Sequence, residues 1–284
     1  MSDKARGPFN GHAANNNTPS DSDSPRNLVI PTVIRDNDQG GRVAYDIYSR
    51  MLDDSVIFVS GMVEPNMANT IVAELLHLYY DKIKPKFEAA EEAGKPRESI
   101  EEKDRTIKMY INSPGGYVND GLQIYDAMQL LKSEGVIIET MATGIAMSMG
   151  SILLVGGSEG HRHAWPSANI MLHQISGGSQ GVQKDMEISQ EESKYLNERL
   201  KDVYRAHTDL TDEQIEIIFD RDYYMRAEEA KELGIVDNVL YPHNDPRVKE
   251  MLERQNRRHM EGEEVVQEVK KTRVLRAQPP APGT

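Results

Sequence analysis

The chain has 284 residues, which is enough for one sizeable domain with extensions or for two small domains. Its formal net charge of −13 argues against nucleic acid or an anionic membrane surface as a partner. It contains no cysteine, which excludes disulfides, thiolate metal sites and a cysteine nucleophile together. This composition is compatible with a reducing cytosol, and no apolar run of about 18 residues predicts a membrane span. We therefore expect a cytoplasmic protein with no metal and no other cofactor.

The first residues of the chain have the composition of a disordered leader. Residues 1–26 lack an apolar segment and carry acidic residues, unlike secretory signals and transit peptides. From Asn27 the chain is rich in β-branched residues, and turn-like residues follow at 36–41. A short helix is then predicted at 45–52 and a strand at 56–59.

A helix after Glu64 is predicted by apolar residues that recur at a period near 3.6 over residues 71–79. Residues 81–105 are dense in Lys, Glu and Asp, and they predict a charged surface insertion of helix and loop rather than core. A strand at 107–111 and an amphipathic helix at 118–131 follow.

The chemistry of the chain centres on Ser148. Residues 136–141 predict a strand buried on both faces, and residues 151–155 predict a helix, so Ser148 lies where a strand turns into a helix. Free backbone N–H groups and the positive end of the helix dipole could stabilise an oxyanion there. The alternative is that Ser148 only caps the helix. The G-x-S-x-G motif that often surrounds a serine nucleophile at such a turn is absent, because Ala146 occupies the position of the first glycine.

A histidine and an aspartate further along the chain could complete a site with this serine. Residues 168–174 predict a strand with His173 at its carboxyl end, before the glycine-rich residues 176–181. Asp222 lies in a short predicted non-helical link ahead of two tyrosines, a setting that suits a carboxylate orienting an imidazole. Asp220 is a rival for that role.

The order of predicted elements indicates the fold class. Strand–helix units at 56–79, 107–131 and 136–155 imply right-handed β-α-β crossovers and a parallel sheet, so the predicted fold class is α/β. A long helix is predicted at 182–207. Residues 241–284 predict a peripheral C-terminal tail, partly helical and then disordered.

Five segments between residues 27 and 240 carry a family resemblance: YDIYSRML, INSPGG, GIAMSMG, IMLHQISGG and FDRDYYMRAEEAKELGIVD. In this order they resemble the successive landmarks of the proteolytic subunit of Clp protease, the ClpP family. The resemblance implies a ClpP/crotonase-type fold of stacked β-α-β units, in which residues 182–207 form a protruding handle helix.

The resemblance also implies the activity of a serine endopeptidase. Ser148 would be the nucleophile, His173 the general base and Asp222 the carboxylate that orients the imidazole. The backbone N–H groups of Gly116 and Met149 would form the oxyanion hole. The resemblance assigns Gly115, Gly177 and Gly178 to substrate binding. It assigns Arg221 to the coupling of subunits in the oligomer.

The same resemblance implies partners. The chain would assemble with itself into two stacked heptameric rings and would cleave unfolded polypeptides delivered by a separate Clp-type ATPase unfoldase. The chain has no G-x-x-x-x-G-K-[ST] motif of its own, because Gly94-Lys95 is followed by proline and lacks the earlier glycine. Neither nucleic acid nor a membrane is expected as a partner.

Two other functions stay open. One is a catalytically silent structural subunit of a mixed Clp ring. The other is a crotonase-type enzyme acting on acyl-CoA, which would need acid–base carboxylates rather than a Ser-His-Asp triad.

Three departures from the family bear on partner choice. Residues 81–105 are longer than the usual connection, Lys108 stands where relatives place an aromatic residue of the ATPase-binding pocket, and Ile145 stands where many have glutamine. The Lys108 ammonium would either remain in water at the end of its stem or be neutralised by a carboxylate. The candidate carboxylates in the insertion are Glu98, Glu101 and Glu102. The departures together predict an altered choice of ATPase.

Overall fold

The structure, a computed structural model, describes residues 30–36, 41–176, 182–242 and 245–246. The predicted leader, the glycine-rich residues 177–181 and nearly all of the predicted tail lie outside these residues. The chain divides into two compact units, Met1–Ile47 and Tyr48–Thr284. In the first unit, strands β1 (Thr32–Asp36) and β2 (Arg42–Asp46) form an antiparallel hairpin with Val33 opposite Tyr45.

The second unit is built around a mostly parallel sheet, which confirms the predicted α/β fold class. Its described strands are β3 (Val56–Val63), β4 (Thr106–Gly116), β5 (Ile137–Met147), β6 (Arg162–Ala164), β7 (Asn169–Leu172), β8 (Tyr223–Arg226) and β9 (Asn238–Val239). The order β3-β4-β5-β6-β9 is parallel throughout. Strand β7 pairs parallel with β5 and antiparallel with β8.

Helices connect these strands. They are α1 (Ile47–Asp53), α2 (Pro65–Leu78), α3 (Lys84–Glu92), α4 (Val118–Ser133), α5 (Met149–Val155), α6 (Gln183–His207), α7 (Asp212–Asp220) and α8 (Ala227–Glu232). All seven residues of α5 are buried, so this helix lies inside the core. Most of α6 before Leu200 is exposed. None of the helices in the described residues is long and apolar enough to cross a membrane.

The structure contains two short strands that the sequence does not reveal. The link predicted as non-helical before α8 contains β8, and β6 begins directly after His161, in a segment where no strand is predicted. Neither segment shows the alternation of apolar and polar residues by which a strand is recognised. Their pairing with β7 and β5 supplies the hydrogen bonds that define them.

The charged insertion is not wholly a surface feature, and this corrects the sequence prediction. Residues 81–105 include the end of a π-helical turn (Tyr79–Ile83), α3, and two 3₁₀ turns, Arg97–Ser99 and Glu102–Asp104. Ile83 is 2% exposed and Phe87 is 1% exposed, and both belong to the hydrophobic core. Their apolar side chains therefore anchor a segment whose charged residues face water.

Arg97 fastens the insertion to the end of α4. Its guanidinium lies 5.1 Å from the centre of the Phe87 ring and forms ion pairs with Glu91 at 2.6 Å and Glu134 at 2.9 Å. The Tyr79 hydroxyl donates to the same Glu134 carboxylate at 3.2 Å. Glu134 lies shortly before β5, and the adjacent Gly135 carbonyl accepts a hydrogen bond at 3.0 Å from Arg105, the residue before β4. These contacts therefore lie near the amino-terminal ends of β4 and β5.

The buried position of Phe87 predicts a large loss of stability on truncation. Phe87→Ala should lower the free energy of unfolding by about 3–5 kcal/mol, because a buried ring is replaced by a cavity. The matched control is Lys95→Ala in the same segment, where an exposed side chain should change that free energy by no more than about 0.5 kcal/mol. Urea denaturation measures both. If the two variants unfold alike, the insertion is a surface element after all.

Candidate active site

The site is assembled by the ends of three strands. Met147 at the end of β5 pairs with Met171, and Leu172 at the end of β7 pairs with Tyr223 at the start of β8. Ser148, His173 and Asp222 are the residues that adjoin these strand ends. The Ser148 N–H also donates to the Met171 carbonyl at 2.8 Å. Strand pairing therefore brings together three residues that are far apart in the sequence.

The three side chains form one line of hydrogen bonds. His173 Nε2 lies 2.9 Å from Ser148 Oγ, and His173 Nδ1 lies 3.2 Å from Asp222 Oδ1. When Nδ1 carries the proton and its N–H donates a hydrogen bond to the carboxylate, Nε2 is free to accept the serine hydroxyl proton. The imidazole side chain is 18% exposed and the Asp222 side chain 58%. The site is thus open to an incoming molecule.

Asp220 does not take the place of Asp222. Its main-chain carbonyl accepts a hydrogen bond from Gln174 Nε2 at 2.9 Å, and its carboxylate lies 4.0 Å from Arg221 Nε. The only carboxylate that contacts the His173 ring within the described residues is that of Asp222.

Ser148 has the backbone of a sharp turn rather than that of an ordinary helix cap. Its φ of 52° and ψ of −122° lie outside the regions that non-glycine residues favour, a strain of about 1–3 kcal/mol. Its side chain makes no capping hydrogen bond to α5. The hydroxyl is directed to His173 instead, so the alternative of a simple N-cap is wrong.

Gly115 lies directly against this turn. Its φ is +95°, and a Cβ there would lie 2.5 Å from Ser148 Cβ and 3.0 Å from the Met149 backbone nitrogen. At Gly116 a Cβ would collide with the Val63 carbonyl oxygen. Only residues without a side chain let the backbone approach the serine so closely. The Met149 N–H, at the start of α5, has no acceptor inside its own helix.

Ser113 is a residue that the sequence analysis did not assign. Its buried hydroxyl accepts a hydrogen bond from the Gly115 N–H at 3.1 Å, a serine turn of the i to i+2 type. The Ser-Pro-Gly-Gly run is a turn signature that could have indicated this contact. The Gly115 N–H is therefore already engaged inside the chain.

The remaining predicted residues are placed as follows. Gly177 and Gly178 lie outside the described residues. The Arg221 side chain is 87% exposed, and the ion pair at 4.0 Å is with Asp220, not with Asp222. Among the residues that the structure describes, no cluster of three or more His, Asp or Glu side chains is arranged to hold a metal ion.

The predicted neutralisation of Lys108 by the insertion is wrong. Lys108 is exposed and pairs in register with Glu139 of β5, and Glu101 forms its ion pair with Lys103 at 2.6 Å. No ion pair joins Lys108 to Glu98, Glu101 or Glu102 within 4.0 Å, although all four residues are among those described. The ammonium is therefore free to stay in water, which was the other expectation.

The chain matches the model of a known protein family. A family model described as Clp protease matches residues 39–86 and 98–243, which together are more than half of the chain. The second matched segment contains Ser148, His173 and Asp222. The match omits residues 87–97, which hold most of α3 and the loop that leads to Arg97.

Proposed function

The chain belongs to the Clp protease family, and we propose that it is a serine endopeptidase with Ser148 as its nucleophile. The observation that carries this proposal is the hydrogen bond of 2.9 Å between His173 Nε2 and Ser148 Oγ. A crotonase-type acyl-CoA enzyme would use carboxylates as acid and base at this position. A silent subunit would not need the strained serine turn and the aligned imidazole.

The geometry supports acyl transfer through Ser148. As Ser148 Oγ attacks the peptide carbonyl carbon, His173 Nε2 takes the hydroxyl proton, and Asp222 holds Nδ1–H and stabilises the imidazolium. His173 then gives that proton to the leaving amine, and an acyl-enzyme remains. Water, activated by the same imidazole, attacks the acyl carbon and releases Ser148.

The oxyanion of the tetrahedral intermediate would be stabilised by backbone donors. We assign this role to the N–H groups of Met149, the residue after Ser148, and of Gly116, the residue after the glycine that packs against the serine turn. By the family resemblance, the backbone of Gly115, Gly177 and Gly178 would pair with an extended peptide. Pairing of this kind reads the substrate backbone, so unfolded chains of many sequences would be accepted.

Substitution of the triad tests the nucleophile. Ser148→Ala should reduce kcat/KM for a short fluorogenic peptide by about 10⁴-fold or more, because no hydroxyl remains to attack. His173→Ala should behave similarly, and Asp222→Asn should lose about 10⁴-fold in kcat through the wrong imidazole tautomer.

Asp220→Asn is the matched control, since Asp220 is near in sequence but does not contact His173. It should keep the activity of the unmodified chain. Undiminished peptide cleavage by Ser148→Ala would contradict the assignment of Ser148 as the nucleophile.

Helix α6 supports a proposal of self-assembly into two stacked heptameric rings. Its amino-terminal part carries apolar side chains that the single chain leaves exposed, among them Ile188 at 57% and Tyr195 at 59%. Apolar area of this kind is stabilised when a second copy covers it. We propose that Arg221, which is exposed and directly precedes Asp222, links such a contact to the triad.

Assembly is tested by sedimentation. Ile188→Asp should shift the protein to smaller species in analytical ultracentrifugation, because burial of an unpaired carboxylate is unfavourable. Arg221→Ala should weaken both assembly and peptide cleavage. Leu130→Asp, an equally exposed apolar position on α4, is the control and should sediment like the unmodified chain. An active monomer would contradict the ring architecture.

A separate Clp-type ATPase would deliver folded substrates. Beside Lys108, the Phe58 and Tyr110 rings stack at 5.6 Å, and Tyr48 packs edge-on against Phe58 at 5.5 Å. We propose that an apolar loop of the ATPase docks on this aromatic cluster and that Lys108 weakens the contact. A charge beside an apolar contact surface must either stay hydrated or be paired.

Nucleotide dependence tests this partner. Short peptides should be cleaved without nucleotide, and a stably folded protein should be degraded only when a Clp-type ATPase and ATP are added. Lys108→Tyr should raise the ATPase-dependent rate while leaving peptide cleavage unchanged. Degradation of the folded protein by this chain alone would show that no unfoldase is needed.

A further inference from the structure

The hydroxyl of Tyr204 lies in the core, and the proposed mechanism gives it no role. Tyr204, in the last turns of α6, is 0% exposed, and its hydroxyl lies 2.8 Å from Ser151 Oγ. Ser151 is 1% exposed, and its Oγ donates to the Ser148 carbonyl at 2.6 Å. A buried pair of hydroxyls thus leads from α6 to the backbone of the nucleophile.

The direction of these hydrogen bonds follows from the chemistry of the groups. A carbonyl oxygen can only accept a hydrogen bond, so the single O–H of Ser151 donates to the Ser148 carbonyl. Ser151 Oγ can then only accept from Tyr204, which must donate its own proton. Burial raises the pKa of Tyr204, so the phenol keeps that proton. The order of donation is Tyr204 to Ser151 to Ser148.

The ring of Tyr204 also contacts the other side of the site. It packs edge-on against Phe219 of α7, with ring centres 5.4 Å apart. The Phe219 carbonyl accepts the N–H of Gln174, the residue after His173, at 2.9 Å. Three residues beyond Phe219 the chain reaches Asp222. Through Ser151 and Phe219, Tyr204 is therefore connected to the segments that carry all three members of the proposed triad.

We infer that Tyr204 is a positioning residue, which holds the strained Ser148 turn through Ser151 and so fixes the direction of the Ser148 hydroxyl toward His173. This inference rests on the proposed peptidase function. Strained backbone persists only where the surrounding structure holds it, and the Ser148 carbonyl also accepts the Ser151 N–H at 2.9 Å. Without the relay the Ser148 carbonyl keeps only its bonds to the N–H groups of Ser151 and, at 3.3 Å, Ile152. The Ser148 hydroxyl is then less often in line with Nε2.

Removal of one oxygen atom tests the relay. Tyr204→Phe keeps the ring and its contact with Phe219, and kcat for a short peptide should fall about fivefold to tenfold, the usual effect of one neutral hydrogen bond. KM should stay unchanged, because the contacts with the peptide are not altered.

Tyr125→Phe is the control. Its hydroxyl also has one partner, His207 Nε2 at 2.9 Å, and its ring packs edge-on against that histidine, but the pair does not contact Ser148. Both variants should lose similar thermal stability, and only Tyr204→Phe should lose kcat.

A double-mutant cycle with Ser151→Ala separates the relay from independent effects. Ser151→Ala breaks the relay, so adding Tyr204→Phe to it should cause no further loss of kcat. The inference is overturned if Tyr204→Phe keeps full kcat, if Tyr125→Phe loses as much, or if the two losses multiply in the double variant. An inactive unmodified protein would overturn the proposed function and this inference with it, whereas an active one with an unaffected Tyr204→Phe overturns the inference alone.

Discussion

The geometry of the candidate site depends on one short strand, β7, which hydrogen-bonds to β5 along one edge and to β8 along the other. The parallel pairing puts His173 next to Ser148, and the antiparallel pairing puts Asp222 next to His173. A shift of one residue in either register would move the partner by about 3.3 Å and turn its side chain to the opposite face. Both contacts of the imidazole, at 2.9 Å and 3.2 Å, depend on these two registers.

The serine turn depends on close packing as much as on pairing. The left-handed backbone of Ser148 is followed by a helix that is buried along its whole length and preceded by a strand of the central sheet. At Gly150 a Cβ would lie 2.9 Å from the Ser113 carbonyl oxygen, so β4 and α5 touch there through backbone atoms. Ser113, in turn, holds Gly115 beside the serine. Rigid neighbours on every side allow a strained residue to persist in one conformation, as a preorganised nucleophile requires.

Much of this could be predicted from the sequence, and the failures have physical causes. The strand-to-helix turn at Ser148 is visible in the apolar pattern, and the order of the landmark segments gives His173 and Asp222. Strand β8 could not be predicted, because Tyr-Tyr-Met-Arg shows no alternation and forms a strand only by pairing with β7. The burial of Phe87 was missed because one ring among charged residues has no periodicity. The contact of Ser151 with Tyr204 joins residues 53 positions apart, and no local pattern encodes it.

The central claim is that Ser148 is activated by its neighbours in the fold, and covalent labelling tests it most directly. Only a serine with raised nucleophilicity reacts readily with a fluorophosphonate. The purified protein should be treated with such a reagent, digested and mapped by mass spectrometry. The account predicts a single adduct on the peptide that contains Ser148, and none when His173 is replaced by alanine. An unlabelled protein, or an adduct on a different residue, would contradict it.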